Sequence, residues 1–561
     1  MASPIRLTAP PAAATALDSP AGSGPATTFL TADFAWLSAQ AGGLYRGGWT
    51  ALRLAAVIAL YGMSNRPENL LPFVAILLSL LLGIGVWTAS ARKGLPLFPL
   101  FMLQQGLTYG LPLVLGNEAL ALQAPGVVTT SSVAIGGFLL VCLAGWQAGR
   151  QGEISGPSKG NLALAESPNA ADRCLGLALA LLGISAAYLM VSRTGLIWTL
   201  LPGSLSGLMP VYKTVAGAAA MLGALFGGLV VGHRPVSPQT LSYWTFLALN
   251  FLLLVADVLI SAGSAIVLSA AVGLALGMRK VPWKFLLVAL GIVGFLNQGK
   301  FVMRERYWSN SNVQSVPLSE LPAFYMEWAG ASSGFLLNPN SGGSASPETE
   351  AETDDGQSIF DRVNNLQNMT FIVSAMEVAG IPSLGGETYT LIPKLLIPRF
   401  LWADKPRTHE GQVLLNLHFG RQANVRETEM TYIAWGFLPE AVGNFGIWLG
   451  PILLGGVLGW IMGRVERISL HKRFFSLEGM VLISVLVMVA GSYEMVASVF
   501  VTAMFQMLVA VTLGGLLLLA WFGKAEPARR RPAGEAVPPI PRLVPMPVLP
   551  SAVSPPSHEP S

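Results

Sequence analysis

Apolar residues along this chain come in long unbroken runs, not in the alternation of a half-buried strand or the narrow stripe of a soluble helix. Twelve runs approach the roughly 20 residues that a membrane-spanning helix needs. They cover about 49–65, 69–91, 95–116, 127–148, 174–191, 211–232, 241–259, 260–278, 285–299, 445–463, 478–496 and 499–523. The first is the weakest, because Arg53 lies inside it, and the pair across 241–278 divides somewhere near Ser261 to Ser264. Gly and Ala are frequent in these runs, as from Gly217 to Gly228, which suits helices in close contact within lipid. No internal repeat is evident.

The polar punctuation between the runs gives an orientation. Basic residues favour the cytoplasmic side of a membrane. The basic loops are those with Arg92-Lys93, Arg150 to Arg173, His233-Arg234, Arg279-Lys280 with Lys284, and Arg464 to Arg473. Alternation through the spans puts all five on one side, together with both termini. The other side receives 66–68, 117–126, 192–210, a long loop from about 300, and a turn near Tyr493-Glu494; Arg66 and Arg193 are the basic exceptions in its short loops. The expected organisation is therefore a disordered cytoplasmic extension (1–46), a bundle of about nine helices (47–299), a long extracytoplasmic loop (300–444), about three further helices (445–523) and a disordered cytoplasmic tail (524–561). The extension is rich in Ala, Pro, Ser and Thr and lacks the apolar run of a secretory signal. The tail opens with Lys524 and Arg529-Arg530-Arg531 and holds 11 prolines in 38 residues.

Composition sharpens this picture. Of 561 residues, 52% are hydrophobic and 11% charged, with a mean hydropathy of +0.57, whereas soluble domains carry about 25% charged residues. A disordered chain and an ordinary soluble enzyme are both excluded. The net charge of +4 fits loop charge in a polytopic membrane protein, not a nucleic-acid partner. Cys142 and Cys174 fall in or beside apolar runs and form no zinc or disulfide framework. The expected fold class is an all-α polytopic membrane protein of about twelve transmembrane helices with one long extracytoplasmic loop.

That loop holds the candidate chemistry. The acidic run from Ser344 to Asp355 is interspersed with Ser, Pro and Thr and reads as a solvated insert, not a metal site. From Ile359 to Val378, apolar residues at Ile359, Val363, Leu366, Met369, Ile372 and Met376 follow helical spacing, with Asp361-Arg362 in the first turn. Residues Leu391 to Arg426 then hold six basic side chains (Lys394, Arg399, Lys405, Arg407, Arg421, Arg426) against two acidic ones, in a loop 300–430 with ten basic and fifteen acidic residues. Arginine offers a planar fork to phosphate oxygens and lysine a mobile point charge. Among aromatic and apolar neighbours such groups suit a lipid-borne phosphate at the bilayer surface, or a plain anchor to phospholipid headgroups. Glu440 and Asn444 lie one helical turn apart where the chain re-enters a span, and a carboxylate there is either hydrogen-bonded or functional. Of the five histidines only His409 and His418 fall on the extracytoplasmic side. An imidazole accepts a proton near neutrality, so His409 and Glu440 are the candidate bases, although His409 beside Glu410 also fits a surface residue. No His or Cys cluster has metal-ligand spacing, and no metal or other cofactor is expected. Asp257, inside an apolar run, is expected to cap the following helix near Ser261 or to pair with Lys213, with a place for either residue in the lining of a substrate cavity as the alternative. Glu494 is a further cavity candidate.

At Ile397-Pro398-Arg399-Phe400-Leu401-Trp402-Ala403-Asp404-Lys405-Pro406 the chain resembles the Wzy-type polysaccharide polymerases, whose long external loop carries a Pro-Arg-x-x-Trp-Pro-x-Lys-Pro signature. The element Glu440-Ala441-Val442-Gly443-Asn444-Phe445-Gly446 is similar to the Glu-x-x-x-Asn-Phe-Gly that opens their next span. Ala403 departs from the frequent proline. The likeness covers about 360–465 in detail. It implies a GT-C-like membrane fold in a bacterial inner membrane and the polymerisation of undecaprenyl-diphosphate-linked repeat units on the outer face. It further implies contact with membrane lipids, and a flippase and a chain-length regulator as partners. In this reading Arg399, Lys405, His409 and Glu440 are catalytic, and Arg362, Trp402, Arg407 and Asn444 bind substrate. A glycan ligase would use the same leaving group. A transporter or flippase would be expected to show paired halves and charges within broken helices, and a non-catalytic assembly partner would dispense with the loop charges.

Overall fold

The computed structural model describes residues 33–152, 169–196, 209–232, 237–309, 312–313, 316–337, 364–399, 401–402, 404–430, 433–492 and 494–522. The described chain is helical, save for a two-stranded antiparallel pair, Trp308–Ser309 with Asn312–Val313, in register Trp308 to Val313. Every one of the twelve apolar runs falls on a helix. Among the described residues seven helices are long and apolar enough to cross a membrane: Pro67–Ala89, Pro125–Gly149, Ala170–Arg193, Val211–Val231, Ile260–Met278, Leu449–Ser469 and Ala497–Leu518. The chain is an all-α membrane protein. The other five runs lie on Gly42–Gly62, which carries Arg46 and Arg53, on an interrupted helix over 97–115, on Pro238–Val255, and on the shorter Trp283–Gln298 and Leu477–Ala490.

Two glycine-lined seams hold the bundle together. In lipid, helices gain little from hiding apolar surface, so close backbone approach takes over. Pro125–Gly149 packs along Leu449–Ser469, where Gly455, Gly459 and Gly463 recur every four residues. A Cβ on Gly455 would stand 2.9 Å from the Phe138 carbonyl oxygen, and one on Gly145 2.7 Å from that of Gly456; at Gly459 it would run into the carbonyl of Cys142. The second seam joins Met209–Val231 to Ile260–Met278, with Gly228 and Gly232 against the carbonyls of Ala270 and Leu274.

Four of the five basic loops meet at one end of the bundle; His233 and Arg234 lie outside the described residues. Arg150 donates to the carbonyl of Arg92, Arg467 to that of Arg150, and Arg464 to that of Gln151 at 3.4 Å. The Phe34 N–H donates to the Lys472 carbonyl at 3.1 Å, and the Arg279 guanidinium lies 5.7 Å from the Trp36 ring. Nearby, the buried Glu466 takes an indole N–H on each oxygen, from Trp87 at 3.1 Å and Trp146 at 2.7 Å.

Both basic exceptions of the other loops are tied down. Arg66 donates to the Val114 carbonyl at 3.3 Å, closing the end of Leu111–Leu115 where unpaired carbonyls gather. Arg193 is buried and pairs with Asp257 at 2.6 Å, with further bonds to the carbonyls of Leu253 (2.8 Å) and Val316 (3.2 Å). This corrects the expected partner of Asp257: Lys213 is exposed, and the helix beginning at Ile260 has no side-chain cap. The division of the 241–278 run also comes earlier than expected, between Val255 and Ile260, where Val258 takes a φ of 56°.

Candidate functional site

A proline in the interrupted helix over 97–115 ties the bundle to the loop. The helix over 97–115 is broken by a π-turn, Gly106–Gly110. Pro112 has no N–H, so the Thr108 carbonyl four residues before it loses its helical donor. That carbonyl instead accepts from the Asn365 N–H at 3.0 Å, at the start of helix Leu366–Glu377. Leu366, Met369 and Ile372 of the expected helical pattern are all 0% exposed against the bundle, while Ile359 and Val363 lie outside the described residues. The polar side of the same helix begins a network. Asn368 bonds Asn365 Oδ1 at 2.8 Å and the carbonyls of Ala434 and Trp435, and accepts from Arg421 Nη1 at 2.7 Å. The Arg421 guanidinium sits over both Phe371 (5.4 Å) and Trp435 (5.3 Å), and the Trp435 indole donates to Asn416 at 2.7 Å.

Glu440 is wholly buried on helix Phe437–Phe445. Its Oε1 accepts from the Thr388 hydroxyl at 2.7 Å and its Oε2 from the Ala497 N–H at 2.5 Å. Asn444, one turn on, donates to Thr388 Oγ1 at 2.9 Å and to the Glu440 carbonyl at 2.8 Å, and accepts from the Thr388 N–H at 3.3 Å. Glu440 and Asn444 thus share a face and act together on one threonine. The knot joins three elements: Phe437–Phe445, the loop helix Glu387–Leu396, and the start of Ala497–Phe522. Burial pushes the Glu440 carboxyl up to about 7, against the two hydrogen bonds, which favour its charged form. Tyr389, next in the chain, is raised chiefly by burial and also by the nearness of Glu440.

The cationic segment hangs from the far end of the same loop helix. Lys405 Nζ donates to the carbonyls of Leu395 (2.8 Å) and Ile397 (2.6 Å), the groups a helix C-terminus leaves unpaired. The chain from Pro398 turns back on itself, with the N–H groups of Leu401 and Trp402 both donating to the Pro398 carbonyl. Arg399, Leu401, Trp402 and Arg407 are left on the surface, Leu401 70% exposed and Trp402 38%. Lys405 is lowered by desolvation first and then by the neighbouring Arg399. His409 lies inside a turn closed by the Glu410 N–H on the Arg407 carbonyl at 3.1 Å, and engages Gln412 Oε1 through Nδ1 at 2.6 Å. The carbonyl of Thr408 accepts from Ser498, the residue after Ala497, at 3.2 Å. No family model, curated protein or solved structure matches this chain.

The expected site residues fall into two groups. Glu440, Asn444 and the Thr408–His409 corner gather where the loop helix begins; Arg399, Trp402 and Lys405 gather where it ends, with Arg407 between. The eight steps from Thr388 to Leu396 at 1.5 Å each span about 12 Å. Arg362 lies outside the described residues, and Glu494 contributes its carbonyl to the Gly436 N–H at 3.1 Å. Thr388 and Asn368 were not singled out by the sequence, and Arg421 was read only as one of six basic side chains in the loop.

Proposed function

We propose that the chain is a membrane glycosyltransferase that polymerises undecaprenyl-diphosphate-linked oligosaccharide repeat units on the outer face of a bacterial inner membrane, through a GT-C-like bundle of about twelve crossings with both termini cytoplasmic. The observation that carries this is the surface-facing set of Arg399, Leu401, Trp402 and Arg407, held in place by Lys405 at the end of an anchored helix. A lipid-linked diphosphate asks for such a mixture of apolar and cationic groups at the bilayer surface. The acceptor hydroxyl oxygen attacks the anomeric carbon, the bond from that carbon to the diphosphate oxygen breaks, and undecaprenyl diphosphate leaves with the charge. Arg399 and Arg407 stabilise that charge. His409, two residues from Arg407, takes the hydroxyl proton. With both of its oxygens engaged inside the fold, Glu440 serves as a positioning residue, as does Lys405. Trp402 and Arg362 contact the glycan or its lipid, and Asn444 acts through Thr388. A flippase that supplies substrate and a chain-length regulator are the implied partners.

The test is a gene deletion complemented by point variants. Arg399→Ala should abolish long-chain polysaccharide while single repeat units accumulate on the lipid carrier. Unchanged polymer length would remove Arg399 from the reaction, and loss of transfer to a different acceptor, with polymer intact, would favour a ligase.

A further inference from the structure

A second cationic site lies among the converging basic loops, away from the loop helix. A cavity of about 380 Å³ opens between the ends of Leu70–Ala89 and Pro125–Gly149, lined by Val86, Ala89, Ser90, Trp146, Gln147 and Arg150. Its inner wall is apolar and aromatic. Its rim is basic: the Arg150 guanidinium lies 4.7 Å from the Trp146 ring, and Lys93 Nζ donates to the carbonyl of the lining Ser90 at 2.6 Å. Residues 90–95, 146–152 and 464–467 together hold Arg92, Lys93, Arg150, Arg464 and Arg467 against one carboxylate, Glu466. That carboxylate is wholly buried, and its oxygens take the indoles of Trp87 and Trp146. Of these five cations Arg150 lines the cavity and Lys93 is bonded to its lining residue Ser90.

We propose that this cavity binds the phosphate of an anionic phospholipid, with Arg150 and Lys93 on the phosphate and the acyl chain along Val86, Ala89 and the Trp146 ring. Three features favour a lipid over a soluble anion. The cavity sits at the ends of two membrane-spanning helices, at headgroup depth. Its walls join an apolar face to a basic rim, and basic pockets between spans are where anionic headgroups bind. Its volume lies within the usual range for a small-molecule site. The cations also bond backbone carbonyls, Arg150 to Arg92 and Lys93 to Ser90. A guanidinium carries five N–H groups and an ammonium three, so the same groups can bridge carbonyl and phosphate.

The purified full-length protein in neutral detergent provides the test, with melting temperature measured after addition of phosphatidylglycerol, phosphatidylcholine or inorganic phosphate. Phosphatidylglycerol should raise the melting temperature, and the other two should leave it within error. The double variant Arg150→Gln with Lys93→Gln should lose that rise. Ala89→Trp, which fills the cavity and leaves every cation in place, should lose it as well. Equal stabilisation by phosphatidylcholine, or a full rise in Ala89→Trp, overturns the site. A rise with inorganic phosphate equal to that with phosphatidylglycerol overturns the lipid assignment in favour of a soluble phosphate. If the double variant does not fold, Ala89→Trp together with the mass of lipid retained by the wild-type protein decides the matter.

Discussion

At Glu440 a carboxyl group has exchanged water for one hydroxyl and one backbone N–H, and the exchange leaves its protonated form favoured up to about pH 7. The native state then holds a proton that the unfolded chain, titrating near 4.5, has already lost. Stability contributed by this group is complete below about pH 4.5 and declines as pH rises towards 7. Glu440→Gln keeps the shape and removes the titration. The melting temperature of the wild-type protein should therefore fall more steeply from pH 5 to pH 8 than that of Glu440→Gln, and parallel profiles would contradict the account. The spacing of Glu440 and Asn444 was legible in the sequence because partners one turn apart share a helix face. Thr388, which both of them bind, lies more than fifty residues earlier and leaves no local trace. Lys405 was legible as a cation, but its bonds to the carbonyls of Leu395 and Ile397 depend on a turn that composition does not specify.

At the scale of elements, long apolar runs were enough to locate the helices, because lipid leaves a crossing chain no alternative that satisfies its backbone. Their ends were less legible. The break between Val255 and Ile260 has no proline or glycine to mark it, and the π-turn in 97–115 follows from a single proline acting on the carbonyl of Thr108. The partner of Asp257 was missed because Arg193 reads as a loop residue until the fold buries it. The abundance of glycine pointed to close packing without saying which helices pair. Gly459 and Gly137 now separate the two cases: a Cβ on Gly459 collides with the Cys142 carbonyl, and one on Gly137 meets nothing within 4 Å. Gly459→Leu should cost about 1–3 kcal/mol or more through overpacking, seen as a lower melting temperature in detergent, whereas Gly137→Leu should match the wild-type protein. Equal effects at both positions would mean that the seam is not a tight one.

For the whole molecule, the positive-inside pattern and the fold agree that the loops bearing Arg92, Arg150, Arg279 and Arg464 to Arg473 gather at one end. The two discordant arginines, Arg66 and Arg193, are held by carbonyls and a carboxylate, so they carry little weight as topogenic charges. The function proposed from the loop resemblance has Arg399 and Arg407 grip a lipid-borne diphosphate. Its most direct test is reconstitution of the purified protein in liposomes with undecaprenyl-diphosphate-linked oligosaccharide as the sole substrate. The account predicts a ladder of longer glycans with stoichiometric release of undecaprenyl diphosphate, abolished in Arg399→Ala. Substrate left unchanged by a folded wild-type protein, or a full ladder from Arg399→Ala, would contradict it.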